Sequence, residues 1–136
     1  MTKAIPKVQK YMTTSPITVE SGTTLAEAQA VFQEHNIRHL PVMESNRLAG
    51  VLSSRDVALA ETLAGADPEA LLVRDAMSLE VYAVSPDTLL DEVASEMVSK
   101  KYGSAVVMQN QKVVGIFTTV DMARAMVDLL ETRLAH

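Results

Sequence analysis

Gly50-Val51-Leu52-Ser53-Ser54-Arg55-Asp56 and, 65 positions later, Gly115-Ile116-Phe117-Thr118-Thr119-Val120-Asp121 follow one formula. Each reads glycine, two apolar residues, a hydroxyl residue, two variable residues and aspartate. A hydroxyl followed three residues later by an acid is a helix start, in which the side-chain oxygen accepts from a first-turn N–H and adds ~1 kcal/mol. The usual reciprocal partner is Glu or Gln, and both stretches use the shorter Asp. A glycine just ahead leaves room for a ligand to approach the backbone. An acid at such a start can accept from ribose hydroxyls while the neighbouring N–H groups meet phosphate. Taken alone, each stretch is first of all a cap.

The same shift superimposes most of the chain on itself without a gap. Val8 meets Val73, Met12 meets Met77, Val19 meets Val84 and Leu25 meets Leu90. Val42-Met43 meets Val107-Met108, and Asp56 meets Asp121. Two copies of this length make a duplicated unit, not a solenoid. A ~60-residue copy buries only a marginal core, so the two are expected to pack together about a pseudo-twofold axis. Each copy predicts an extended segment (Ile17 to Val19, Tyr82 to Val84) and an amphipathic helix. The helix starts at Thr24-Leu25-Ala26-Glu27 in the first copy. Its buried face is Leu25, Ala28, Val31 and Phe32, against Leu90, Val93, Ala94 and Met97 in the second. Two short apolar runs follow, Leu40 to Met43 and Leu48 to Leu52, matched by Ala105 to Met108 and Val113 to Phe117; these read as buried strands. A last helix begins after Ser53 and after Thr118. The class is α/β (α+β), with the order strand, helix, strand, strand, helix given twice. The first motif spans about 8–63, a linker 64–72, the second motif about 73–127, and a helical tail 128–136. In the linker, Gly65 is read as stopping the preceding helix and Asp67-Pro68 as an N-cap with proline at the first helical position.

Composition excludes several functions. There is no cysteine, hence no disulfide, thiolate chemistry or cysteine metal site. A net charge of −5 with scattered Lys and Arg gives no basic stripe for nucleic acid. No apolar run approaches the ~18 residues of a membrane span, and Met1-Thr2-Lys3-Ala4-Ile5-Pro6 lacks the apolar run of a secretion signal. A cytoplasmic protein is expected. His35 and His39 stand four apart, but Asn36 ends the helix between them, which argues against a metal site. The internal methionines sit at apolar positions as core filler. No nucleophile elbow, P-loop, dinucleotide fingerprint or paired carboxylates suggest an enzyme.

With the two-copy architecture, the opening Tyr11-Met12-Thr13-Thr14-Ser15-Pro16-Ile17-Thr18-Val19, the stretch Ile37-Arg38-His39-Leu40-Pro41-Val42 and the two Gly-x-x-(Ser/Thr)-x-x-Asp endings, the chain resembles a CBS domain pair. Such a pair is also called a Bateman module, here of the stand-alone prokaryotic type. The resemblance covers roughly residues 8 to 126. It implies two clefts between the copies, each able to hold AMP, ADP, ATP or another adenosyl ligand such as S-adenosylmethionine, and dimerisation into a disc of four motifs. By that resemblance Asp56 and Asp121 hold ribose hydroxyls, with Ser53 and Thr118 beside them. Thr13 and Thr18 would join Thr118 and Asp121, while Ser78 and Ala83 would join Ser53 and Asp56. Arg38 and His39 stand where the family often places a basic pair facing phosphates; a solvated strand start is the plainer alternative.

The copies are not equivalent. Gly103-Ser104 replace the basic pair, and Glu80 stands where the first copy has Ser15. The Ser53/Asp56 cleft is therefore favoured for phosphate-bearing ligands. Met122, Met126, Leu129, Leu130 and Leu134 form an apolar stripe that either packs on the chain's own core or makes a homodimer contact. The expected function is an adenine-nucleotide sensor that signals to a separate, unidentified effector protein. The alternative is a dimerisation scaffold whose motifs bind nothing and merely cap helices.

Overall fold

The computed structural model describes residues 4–63 and 65–134, apart from the side chain of Leu134. Met1-Thr2-Lys3, the linker's Ala64, the last two residues of the tail and the Leu134 end of the apolar stripe lie outside these. In chain order, a 3-10 turn (Val8–Lys10) precedes β1 (Thr13–Thr14), β2 (Val19–Glu20), α1 (Leu25–His35), β3 (His39–Glu44), β4 (Arg47–Ser53), α2 (Ser54–Glu61) and the one-turn α3 (Val73–Ala76). Then come β5 (Ala83–Val84), α4 (Leu90–Lys100), β6 (Ser104–Gln109), β7 (Lys112–Thr118) and α5 (Thr119–Leu129), followed by a π-turn, Leu130–Leu134. The duplicated order of mixed α and β elements is thus the observed one.

The chain forms two compact units, one of Pro16–Val81 and one taking the chain up to Ser15 and from Tyr82 onward. In the first unit β2 runs parallel to β3, and β3 antiparallel to β4. Leu25, Ala28 and Phe32 of α1 pack on Leu40, Val42 and Leu52 of this sheet, with Val57 of α2 and Val73 of α3 completing the core. Burying such a side chain contributes about 1.5–3 kcal/mol. The second unit repeats the plan: β5 is parallel to β6, β6 antiparallel to β7, and Leu90, Val93 and Met97 of α4 cover Ala105, Val107 and Phe117. Val8, from the far end of the chain, is fully buried in this second core.

Tight turns follow from residue type. The β3–β4 and β6–β7 hairpins each turn on two residues with positive φ, Ser45 and Asn46 (51° and 63°) and Asn110 and Gln111 (53° and 64°). Two-residue loops of this hand match the twist of the strands they join. α1 ends on left-handed Asn36, a residue that tolerates that conformation.

In each unit the segment preceding the other repeat's first strand lies along the last strand of the sheet. Thr13 and Thr14 of β1 pair with Ile116 and Gly115 of β7. In the first unit a single bridge does the same, the Val51 N–H donating to the Ser78 carbonyl at 3.0 Å and the Ser78 N–H to the Val51 carbonyl at 2.9 Å. Here the two motif glycines find their reason. A Cβ on Gly50 would lie 2.6 Å from the Ser78 carbonyl oxygen and 3.0 Å from Met77 Sδ; on Gly115 it would collide with Met12 Sδ. The space a side chain would take is filled from within each unit, which replaces the expectation that these glycines leave room for a ligand.

The linker differs from its sequence reading. α2 ends at Glu61, and Gly65, at φ 76°, stands beyond it in a turn. Asp67 caps one turn only: its carboxylate accepts from the Glu69 N–H at 3.0 Å and its carbonyl from the N–H groups of Ala70 and Leu71. No helix propagates from Pro68, because the chain next pairs with the start of α1, the Leu71 carbonyl accepting from the Leu25 N–H at 2.9 Å.

Candidate functional site

Within the unit Pro16–Val81, Arg38, His39, Ser53 and Asp56 come together where β3 begins and β4 ends. His39 is in register with Ser53, and the Arg38 carbonyl accepts from the Ser54 N–H at 2.9 Å. Ser53 caps α2 reciprocally: its hydroxyl accepts from the Asp56 N–H at 3.1 Å while Asp56 Oδ2 accepts from the Ser53 N–H at 2.8 Å. No residue among those described donates to the second carboxylate oxygen, and the side chain is only half-buried. Arg38 is exposed. Partial burial pushes His39 below its ordinary 6.5; the nearby Asp56 charge pulls it upward, Arg38 adds to the lowering, and burial prevails. His39 is therefore largely neutral near pH 7, leaving Arg38 as the permanent cation. Ser78 bonds by its backbone to Val51, two residues ahead of Ser53.

The matching cluster in the other unit is closed. Thr118 and Asp121 form the same reciprocal cap at the start of α5. Asp121, however, is 3% exposed and also accepts from the Thr13 hydroxyl at 3.2 Å and from Arg124 Nη1 at 3.3 Å. Thr13 is thus brought to Asp121. Thr18 is exposed just ahead of β2 and belongs to the unit of Asp56. Sequence reasoning missed Arg124, although its place three residues after Asp121 on a helix was a readable signal. It also missed the Tyr11 hydroxyl, which donates to Asp128 at 2.5 Å. That bond, helped by burial and by the carboxylate's charge, raises the phenol above its ordinary 10.0.

His35 closes α1 and His39 opens β3, and the described residues hold no group of three or more side chains that could hold a metal ion. No helix among them is long and apolar enough to cross a membrane. An apolar groove of about 350 Å³ is lined by Ile5, Leu90, Ala94, Met122, Met126 and Leu129 among others. The C-terminal stripe is thereby divided: Met122 and Leu129 pack against the unit's own core, while Met126 and Leu130 are 58% and 47% exposed.

The family profile of the CBS domain matches residues 8–62 and again 73–128. The chain belongs to the CBS domain family. As a CBS pair it is 31% identical over 116 residues to the CBS domain-containing protein YhcV of Bacillus subtilis, an alignment covering 85% of this chain and 82% of the relative. It superimposes on the Vibrio cholerae protein AcuB with a TM-score of 0.86 and 29% identity, covering 98% of both chains. The CBS domain pair of protein MJ0100, solved in complex with 5′-methylthioadenosine and S-adenosyl-L-methionine, gives a TM-score of 0.83 and 28% identity over 92% of this chain and 98% of its own.

Proposed function

We propose that this CBS pair is a regulatory module that binds an adenosyl ligand (AMP, ADP, ATP or S-adenosylmethionine) at the Asp56 cluster and signals to a separate effector protein. It works in the cytoplasm, without catalysis and without nucleic acid. The observation that carries the reading is the Asp56 carboxylate, which offers an unoccupied oxygen at a helix start. Beside it stand the Ser53 hydroxyl, Arg38 and a histidine that gains charge next to phosphate. The complex of the MJ0100 CBS pair with two adenosyl compounds supports the ligand class. Ser78 belongs to this proposed set; Thr13, Thr18, Thr118 and Asp121 are the proposed positions of a second, separate set, with Asp121 already engaged.

Thermal unfolding against AMP, ADP, ATP and S-adenosylmethionine tests the reading. A ligand at ~100 times its dissociation constant stabilises by about 2.7 kcal/mol, a shift of several degrees. That shift is expected to vanish in Asp56→Ala. If no compound moves the transition at millimolar concentration, the scaffold reading takes its place. The completeness of both capping boxes favours that alternative.

The proposed homodimer uses α5. Met126 and Leu130 of the C-terminal stripe, 58% and 47% exposed, lie about one turn apart at its end, with Val127, 53% exposed, beside them. Light scattering is expected to show two chains for the wild type and one for Val127→Glu. A variant that remains a dimer, or a monomeric wild type, removes this contact.

A further inference from the structure

Residues 4–15 belong in sequence to the first repeat but are housed with the second, in the compact unit that resumes at Tyr82. Their hold on that unit runs the length of the segment. The Pro6 carbonyl accepts from the Leu90 N–H and the Val8 N–H donates to the Thr88 carbonyl, both at 2.8 Å. Val8 is fully buried, Met12 fills the niche over Gly115, and Thr13 and Thr14 pair with β7. The join to Pro16–Val81 has the opposite character. Ser15 is exposed and stands at φ 46°, left-handed backbone that few residues other than glycine adopt. It also precedes Pro16, whose ring drives the residue before it towards extended backbone. Ile17 and Thr18, just beyond, are exposed as well. The second repeat has neither feature: Glu80, at the place of Ser15, keeps a negative φ, and Val81 replaces the proline. A well-seated segment thus hangs on a strained, exposed hinge.

We propose that residues 4–15 are an exchangeable arm: when two chains fold side by side, each seats its arm on the other's β7 and α4, giving a strand-exchanged dimer that hinges at Ser15–Pro16. Exchange keeps every contact between arm and seat, because each seat receives an identical arm. Only the hinge differs, and a short hinge under strain favours the open form, in which Ser15 returns to ordinary backbone. The partner is a second copy of this chain, and the arm seat is a surface separate from the α5 contact.

The chain has no cysteine, so introduced thiols report on the arm alone. Lys7 and Leu89, both exposed, face each other as an antiparallel pair flanked by the Leu90–Pro6 and Val8–Thr88 bonds. Cα atoms of such a pair lie about 4.5 Å apart, within the span of a disulfide. Chains with Lys7→Cys and chains with Leu89→Cys are mixed in urea, refolded together at rising protein concentration and oxidised. All carry Val127→Glu, which keeps the α5 contact out of the result. A covalent dimer of one chain of each kind is expected. Its fraction should rise at least ~5-fold with Ser15→Val, whose branched side chain resists left-handed backbone, and fall with Ser15→Gly, which accepts it freely. A decoy thiol from Leu79→Cys, at a residue 76% exposed in the other unit, should give background only. The double variant Lys7→Cys/Leu89→Cys, oxidised when dilute, should close within one chain. A mixed dimer no more abundant than the Leu79 background even with Ser15→Val, or one indifferent to the residue at position 15, would overturn the proposal. So would a double variant that fails to close, since the arm would then not be seated at Leu89.

Discussion

Gly50→Ala is expected to destabilise the protein by about 2–4 kcal/mol, lowering the thermal midpoint by several degrees. The new methyl would meet the Ser78 carbonyl oxygen at 2.6 Å, and that oxygen belongs to the backbone. It cannot swing aside without breaking the paired bonds between Val51 and Ser78 at 3.0 and 2.9 Å. Gly115→Ala meets the thioether of Met12, a flexible side chain, and is expected to cost only about 1–2 kcal/mol. A double-mutant cycle separates the cases. Met12→Ala should relieve part of the Gly115→Ala penalty, whereas Met77→Ala should not relieve that of Gly50→Ala. A Gly50→Ala midpoint indistinguishable from wild type would show that the edge segment yields freely.

The two motif aspartates should part company just as clearly. Asp121→Ala removes the acceptor of the Thr118 N–H and hydroxyl and leaves a gap at a position 3% exposed. A loss of about 2–3 kcal/mol in urea unfolding is expected. Asp56→Ala removes a single bond from a half-buried group, and ~1 kcal/mol, the ordinary value of a cap, is expected. Equal losses would mean that the extra bonds on Asp121 contribute nothing to stability.

Much of this was legible because periodicity survives duplication. The repeat placed most of both helix faces: Leu25, Ala28 and Phe32 are buried, as are Leu90, Val93 and Met97, while Val31 and Ala94 are only partly buried. Hydroxyl–acid spacing located the starts of α2 and α5 to the residue. What escaped depends on contacts between residues far apart in sequence. The pairing of Thr13 and Thr14 with β7 and the filling of the Gly115 niche by Met12 leave no local pattern. Pro68 misled because proline at a first helical position licenses a start but cannot supply the following turns, which here give way to the Leu71–Leu25 bond. The candidate site was readable as residue types, and the resemblance already set Thr13 with Asp121 and favoured the Asp56 side; what left no sequence signal is how far the bonds from Thr13 and Arg124 fill the Asp121 carboxylate.

The two compact units also differ in how synthesis delivers them. Pro16–Val81 is continuous and can close as soon as its last residue clears the ribosome. The other unit is sewn from both sides of it: Val8 donates its N–H to the Thr88 carbonyl and Leu90 to that of Pro6, while Thr13 waits for Asp121. The segment from Pro6 to Ser15 is made before Pro16–Val81 yet finds its place after it. During elongation its apolar members, Val8 and Met12 foremost, stay without a partner until the second repeat has been translated. A nascent-chain chaperone would therefore find its binding stretch on the amino-terminal side of Pro16–Val81, ahead of a unit that is already folded.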